Sequence, residues 1–184
     1  MAELSSHGER LENEPSKLVS LTGLSGKVAI YGGTFDPIHN GDLAVAQAAQ
    51  EMHQFDAIIF VPTEHNPSKL HQPKASDEQR IAMLEVALKD VPYAYLATEQ
   101  LTGKASNYTQ ELLQYISDRA GADLDLHFIM GADNLEDIPG WRNAESILSV
   151  AKCTPVNRPG YDVDTLIEKL RGKYADSDID ALSS

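Results

Sequence analysis

The sequence predicts an α/β fold, a parallel sheet with helices packed on both faces. Three observations carry that expectation. Short apolar runs such as Val28–Tyr31 and Ala57–Val61 alternate with longer segments of helical composition. Those runs are apolar at successive positions, as strands buried on both faces are. The residues with chemical character follow the strands, and parallel sheets bind ligands at the carboxyl ends of their strands.

Residues 1–26 combine Ser, Glu, Asn, Pro and Gly without a sustained period. They are expected to form a loosely docked N-terminal extension, although the apolar patch Leu18–Leu24 could pack on the domain, which is expected to span 27–184. Val28–Tyr31 predicts the first strand, ended by Gly32-Gly33. The Ala-rich stretch Leu43–Met52 predicts a helix. A second strand follows at Ala57–Val61, then a polar loop over 63–75. Ser76 and Gln79 form a capping-box pattern opening a helix whose apolar stripe is Ile81, Met83, Leu84, Ala87 and Leu88. Tyr93–Ala97 predicts a strand, Tyr108–Arg119 a helix, Leu126–Met130 a strand, Ala144–Val150 a short helix, Cys153–Val156 a weak strand and Asp164–Tyr174 a last helix. Such alternation implies right-handed crossovers.

With 184 residues, 42% hydrophobic and 23% charged, the chain is sized for one soluble domain. A net charge of −13 opposes non-specific nucleic-acid binding and polybasic membrane contact. It leaves room for a small anionic substrate in a locally positive pocket. The one cysteine, Cys153, excludes an intramolecular disulfide and a cysteine-based zinc site, and its apolar strand context reads as packing. No apolar run reaches membrane-spanning length, and the start of the chain lacks the basic and apolar regions of a secretory signal, so a cytoplasmic location is expected. Nothing in the sequence opposes homo-oligomerisation.

The loop after the first strand reads Gly32-Gly33-Thr34-Phe35-Asp36-Pro37-Ile38-His39-Asn40-Gly41-Asp42. Two glycines after a strand allow close approach of backbone to a ligand. The helix that follows offers free N–H groups and a positive dipole end to a phosphate. The segment is neither a P-loop nor a G-x-G-x-x-G dinucleotide fingerprint. His39 stands at the loop–helix junction, placed to donate to an anion.

These residues resemble the signature of the nucleotidylyltransferase superfamily, and more narrowly that of the bacterial nicotinate-nucleotide adenylyltransferase family. Five further segments are similar in the right order. They are Phe60-Val61-Pro62 with Asn66–Lys69, Gln79–Leu84, Asn107-Tyr108-Thr109, Phe128–Leu135 with Trp141, and Arg158-Pro159-Gly160-Tyr161. The resemblance implies a Rossmann-like, doubly wound sheet. It implies transfer of AMP from ATP, bound with Mg²⁺, to nicotinate mononucleotide, releasing pyrophosphate, with no covalent nucleophile. It further implies that backbone N–H groups of Gly32, Gly33, Thr34 and Phe35 cradle phosphates, and that His39 and Lys69 contact them. Tyr108, Thr109 and Trp141 would receive the nicotinate ring, Asp133 would take ribose hydroxyls or neighbouring backbone, Arg158 would lie near the adenylate side, and Gly131 would belong to the ATP-binding set.

The chain departs from that family at Asp42, where the second histidine of H-x-G-H is expected. A carboxylate about 4 Å from a phosphate charge costs roughly 4 kcal/mol at an effective dielectric near 20, or about three orders of magnitude in rate. Three readings stand open: activity is lost or reduced, Asp42 holds Mg²⁺ or is otherwise compensated, or the carboxylate points away. An Asp in a first helical turn also simply complements the dipole. The chain stops at Leu182-Ser183-Ser184, where the family continues toward an I-S-S-T-x-I-R segment that helps hold ATP phosphates. A competing reading from another class is therefore a non-catalytic, nucleotide-binding relative acting as a sensor or partner subunit. His65 and His71 read as solvated loop groups, and His53 and His127 as helix-surface and strand-end residues.

Overall fold

Among the residues described by the computed structural model (17–64, 73–138, 143–157 and 162–171), five strands alternate with six helices. In chain order they are β1 (Lys27–Gly33), α1 (Asn40–His53), β2 (Ala57–Pro62), α2 (Asp77–Leu88), β3 (Ala94–Leu96), α3 (Thr109–Ser117), β4 (Asp125–Gly131), α4 (Ala132–Asp137), α5 (Ala144–Val150), β5 (Lys152–Val156) and α6 (Val163–Arg171). The sheet order is β3-β2-β1-β4-β5 and every pairing is parallel. This is the doubly wound, Rossmann-like arrangement, with its order reversing between β1 and β4.

Strand alternation divides the core in two. Val28, Ile30, Phe128 and Met130 face α3, α5 and α6. Ala29, Tyr31, Ile58 and Phe60 face α1 and α2. Both faces of each central strand are thus apolar, which explains the unbroken hydrophobic runs. Cys153 is buried within the first of these clusters, and burial pushes its thiol up to about 12. It packs within that cluster.

Element ends differ from the sequence reading where side chains decide them. α1 begins three residues before Leu43 because His39 caps it. α4 was not legible: six residues directly after Gly131 are too short to show an apolar period. The expected helix over Asp164–Tyr174 is described only as far as Arg171.

The N-terminal segment also differs. Residues 17–24 are part of the domain. Lys17–Val19 run beside β3, with Val19 N donating to Leu96 O and Leu96 N to Lys17 O. Leu21 is completely buried, and its N–H donates to the Glu99 carboxylate at 2.7 Å. Gly23 N reaches Arg119 O, and Gly121 N reaches Leu24 O. An open edge strand has unpaired backbone groups, and this segment satisfies them on β3.

At the opposite edge of the chemistry, His127 is buried in β4 beside Phe55, with Nδ1 3.2 Å from Thr154 Oγ1 and Nε2 3.4 Å from Asp125 Oδ2. Burial holds the His127 imidazole below its ordinary value despite Asp125, with Lys152 and Lys27 adding to the depression. His53, 5.9 Å away ring to ring, is lowered too, by burial and then Lys27. A histidine with a depressed folded pKa binds fewer protons than the unfolded chain below the unfolded value of about 6.5. Stability therefore falls as pH drops from about 6.5 toward the folded value. Equilibrium urea unfolding between pH 7 and pH 5 should show that fall, and His127→Gln should flatten it.

Candidate active site

β1 and β4 lie side by side with Tyr31 opposite Ile129, so Gly33 and Gly131, two residues further on in each strand, reach the same end of the sheet. The loop after β1 leads into α1 there, and Gly131 caps α4 there. The reversal point of the sheet thus carries two helix N-termini, of which α1 is the long one. Gly32 and Gly33 still belong to β1, alongside Val61 and Pro62 of β2, and the loop itself begins at Thr34.

Phe35 shapes that loop. Its φ of 46° lies in the left-handed region that bulky residues avoid. Its ring drops into the core against Tyr31 and Phe60, both at 5.6 Å, and this burial holds the backbone there. A Cβ on Gly33 would come within 2.8 Å of the Phe35 ring. The need for glycine at 33 is therefore space for an aromatic ring.

His39 is the N-cap of α1 and its side chain is mostly exposed. Its Nδ1 accepts from Asp42 N at 3.3 Å, and the Asp42 carboxylate accepts from His39 N at 3.1 Å, a reciprocal capping box. With Nδ1 accepting, the neutral ring carries its proton on Nε2. A protonated ring would place Nδ1–H toward Asp42 Oδ2 at 3.3 Å and keep Nε2–H as well. In both states Nε2 keeps a donor, on a ring that is mostly exposed. Gly41 makes room for this ring: a Cβ there would lie 3.0 Å from its Cε1.

Asp42 is buried, and its second oxygen lies 3.4 Å from the Tyr31 hydroxyl. The carboxylate is turned back onto the loop and the core. The N3 position of the capping box holds the side chain. Asp42→Ala should cost about 1–2 kcal/mol in denaturant unfolding, through the lost cap and the lost Tyr31 acceptor. It should also lower turnover, by about tenfold, as His39 loses its fixed orientation. A direct clash predicts faster turnover instead.

The loop is tied to α2. Asp36 accepts from Lys74 N at 2.6 Å and from Ala75 N at 3.0 Å, and these bonds hold its carboxyl below the usual range. Arg80, fully buried, donates from Nη1 to both Thr34 O and Thr63 O at 2.7 Å, and from Nη2 to Asp77 at 2.6 Å. Next to Thr63, Glu64 N donates to Asn107 Oδ1 and Glu64 Oε2 accepts from Asn107 Nδ2, both at 3.2 Å. That clasp brings Tyr108, the partly exposed N-cap of α3, and Thr109, its first residue, to the end of β2.

The sequence reading gave no role to Asp36, Arg80 or Asn107. One signal was available: Arg80, Leu84 and Leu88 are spaced by four, on the face of α2 that is buried. Lys69, Trp141 and Arg158 lie outside the described residues, and of Asp133 only the backbone, in α4, is described. Among the described residues no three His, Cys, Asp or Glu side chains gather as a metal-ligand set. No described helix is long and apolar enough to cross a membrane.

Residues 30–179 match the model of the cytidylyltransferase-like family, which defines the class as nucleotidyltransferase. Probable nicotinate-nucleotide adenylyltransferases are similar. The one from Clostridium acetobutylicum is 39% identical over 151 residues, covering 80% of this chain and 75% of that protein. The one from Roseiflexus sp. is 36% identical over 140 residues, covering 76% and 69%. In fold, the chain resembles the Plasmodium falciparum nicotinic acid mononucleotide adenylyltransferase complexed with NaAD, with a TM-score of 0.66, 17% identity, and 83% and 78% of the two chains covered. The chain belongs to the cytidylyltransferase-like nucleotidyltransferases and, among them, to the nicotinate-nucleotide adenylyltransferase family.

Proposed function

We propose that this chain transfers AMP from ATP to nicotinate mononucleotide, giving nicotinate adenine dinucleotide and pyrophosphate. The observation that carries the reading is the mostly exposed His39 ring, whose Nε2 takes no part in the cap, at the N-terminus of α1 and at the reversal point of the sheet. A phosphate oxygen of the mononucleotide forms a bond to the α-phosphorus of ATP, and the bond from that phosphorus to the bridging oxygen of pyrophosphate breaks. No protein nucleophile is needed. The chain contributes alignment and stabilisation of charge on the phosphate oxygens. His39 Nε2–H, the loop N–H groups from Thr34 to Phe35 and the dipole of α1 all favour negative charge at that point.

Mg²⁺ enters as part of the substrate, carried on the triphosphate. Tyr108 and Thr109 border the nicotinate side, positioned by the Asn107–Glu64 clasp. Lys69 and Arg158 are assigned to the phosphates and adenylate, Trp141 to the pyridine ring and Asp133 to the ribose. The test is pyrophosphate release from ATP, Mg²⁺ and nicotinate mononucleotide. Turnover supports the reading. Binding of the mononucleotide and ATP without turnover would replace it with a non-catalytic, nucleotide-binding role.

A further inference from the structure

The least expected group in the molecule is the guanidinium of Arg80. It has no exposure to solvent, and removing a charge from water costs several kcal/mol unless hydrogen bonds offset it. Its counter-ion, Asp77, lies at the protein surface end of the interaction, with the carboxylate side chain 41% exposed. The other two bonds go to main-chain carbonyls, Thr34 O and Thr63 O, at the ends of two neighbouring strands. A planar trans peptide points its N–H opposite to its carbonyl. By drawing Thr34 O toward α2, Arg80 turns the Phe35 N–H the other way. By drawing Thr63 O inward, it turns the Glu64 N–H toward Asn107 Oδ1, where that bond is present at 3.2 Å.

We infer that Arg80, with Asp36, is a positioning residue for the transfer. It sets the peptide 34–35 so that its N–H faces the substrate phosphates, and it locks that loop to the Glu64–Asn107 clasp beside the second substrate. Asp36 completes the lock by fixing the same loop to the start of α2 through Lys74 and Ala75. The assignment rests on the proposed adenylyl transfer for its kinetic consequence, but not for its effect on the loop. One guanidinium spans both carbonyls and Asp77, a task that an ammonium of different shape cannot repeat.

The test uses the full chain and its Arg80→Lys and Asp36→Ala variants. Steady-state pyrophosphate release is measured with thermal unfolding and amide hydrogen exchange. Arg80→Lys should lower kcat by about a hundredfold, as expected for a misplaced reacting group, with little change in KM for nicotinate mononucleotide. Asp36→Ala, at a partly exposed side chain, should lower kcat in the same direction by less. In both, amides 34–36 should exchange faster while those of β4 stay protected. Unchanged kcat and unchanged exchange at 34–36 would overturn the assignment. If Arg80→Lys loses protection throughout the sheet, Asp36→Ala decides: fast exchange confined to 34–36 supports positioning, and its absence ends it. If the unaltered chain turns nothing over, the proposed function fails on its own, and the exchange data alone judge the positioning role.

Discussion

Replacing His39 with alanine should lower kcat for pyrophosphate release by about a hundred- to a thousandfold, the usual loss for one preorganised donor to a developing charge. The folded state should lose only about 1 kcal/mol, because the imidazole is also the N-cap of α1. The separation of the two effects follows from the geometry. Nδ1 is engaged by Asp42 N, whereas Nε2 takes no part in the cap and belongs to a mostly exposed ring. Alanine removes both, and Asn, a strong N-cap, restores only the first. His39→Asn should therefore recover stability and leave kcat low. Recovery of kcat by Asn would show that the cap, and not the Nε2 donor, carries the activity.

Much of this arrangement was legible before the structure, for identifiable reasons. Parallel strands buried on both faces leave unbroken apolar runs, so Val28–Tyr31 and Ala57–Val61 announced themselves. Ligand chemistry in such sheets sits after the strands, so the loop Gly32–Asp42 stands out, whereas Gly131 enters only through the family resemblance. The rest was hidden by side chains acting on backbone. Nothing in the one-dimensional pattern says that Asp42 turns into a capping box, since the same residue at the same spacing could face the solvent or a phosphate. Arg80 enters only as part of the matching segment Gln79–Leu84, because its role depends on carbonyls 46 and 17 residues away in sequence. Asn107 is matched to Glu64 across 43 residues. Long-range polar contacts to the main chain leave no period to read.

The N-terminal segment shows the same limit and carries a large expected effect on stability. Its composition suggested an arm, yet Leu21 has no solvent exposure and sits in the larger core cluster beside Ala97, Leu112 and Ile116. Leu21→Ala should destabilise the domain by about 2–5 kcal/mol, the range for deleting a buried leucine side chain. Leu18→Ala, at a side chain about half exposed in the same segment, should cost far less. Urea unfolding of the two variants checks the contrast, and equal small losses would mean the segment is not part of the core. The consequence reaches the site, because the segment grips both ends of the stretch that presents Tyr108 and Thr109. Leu21 N and Ser20 Oγ bond Glu99 on one side, while Gly23 and Leu24 bond Arg119 and Gly121 on the other. Loosening it should raise KM for nicotinate mononucleotide more than KM for ATP, since the loop after β1 is held from α2 by Arg80 and by the Asp36 bonds to Lys74 and Ala75.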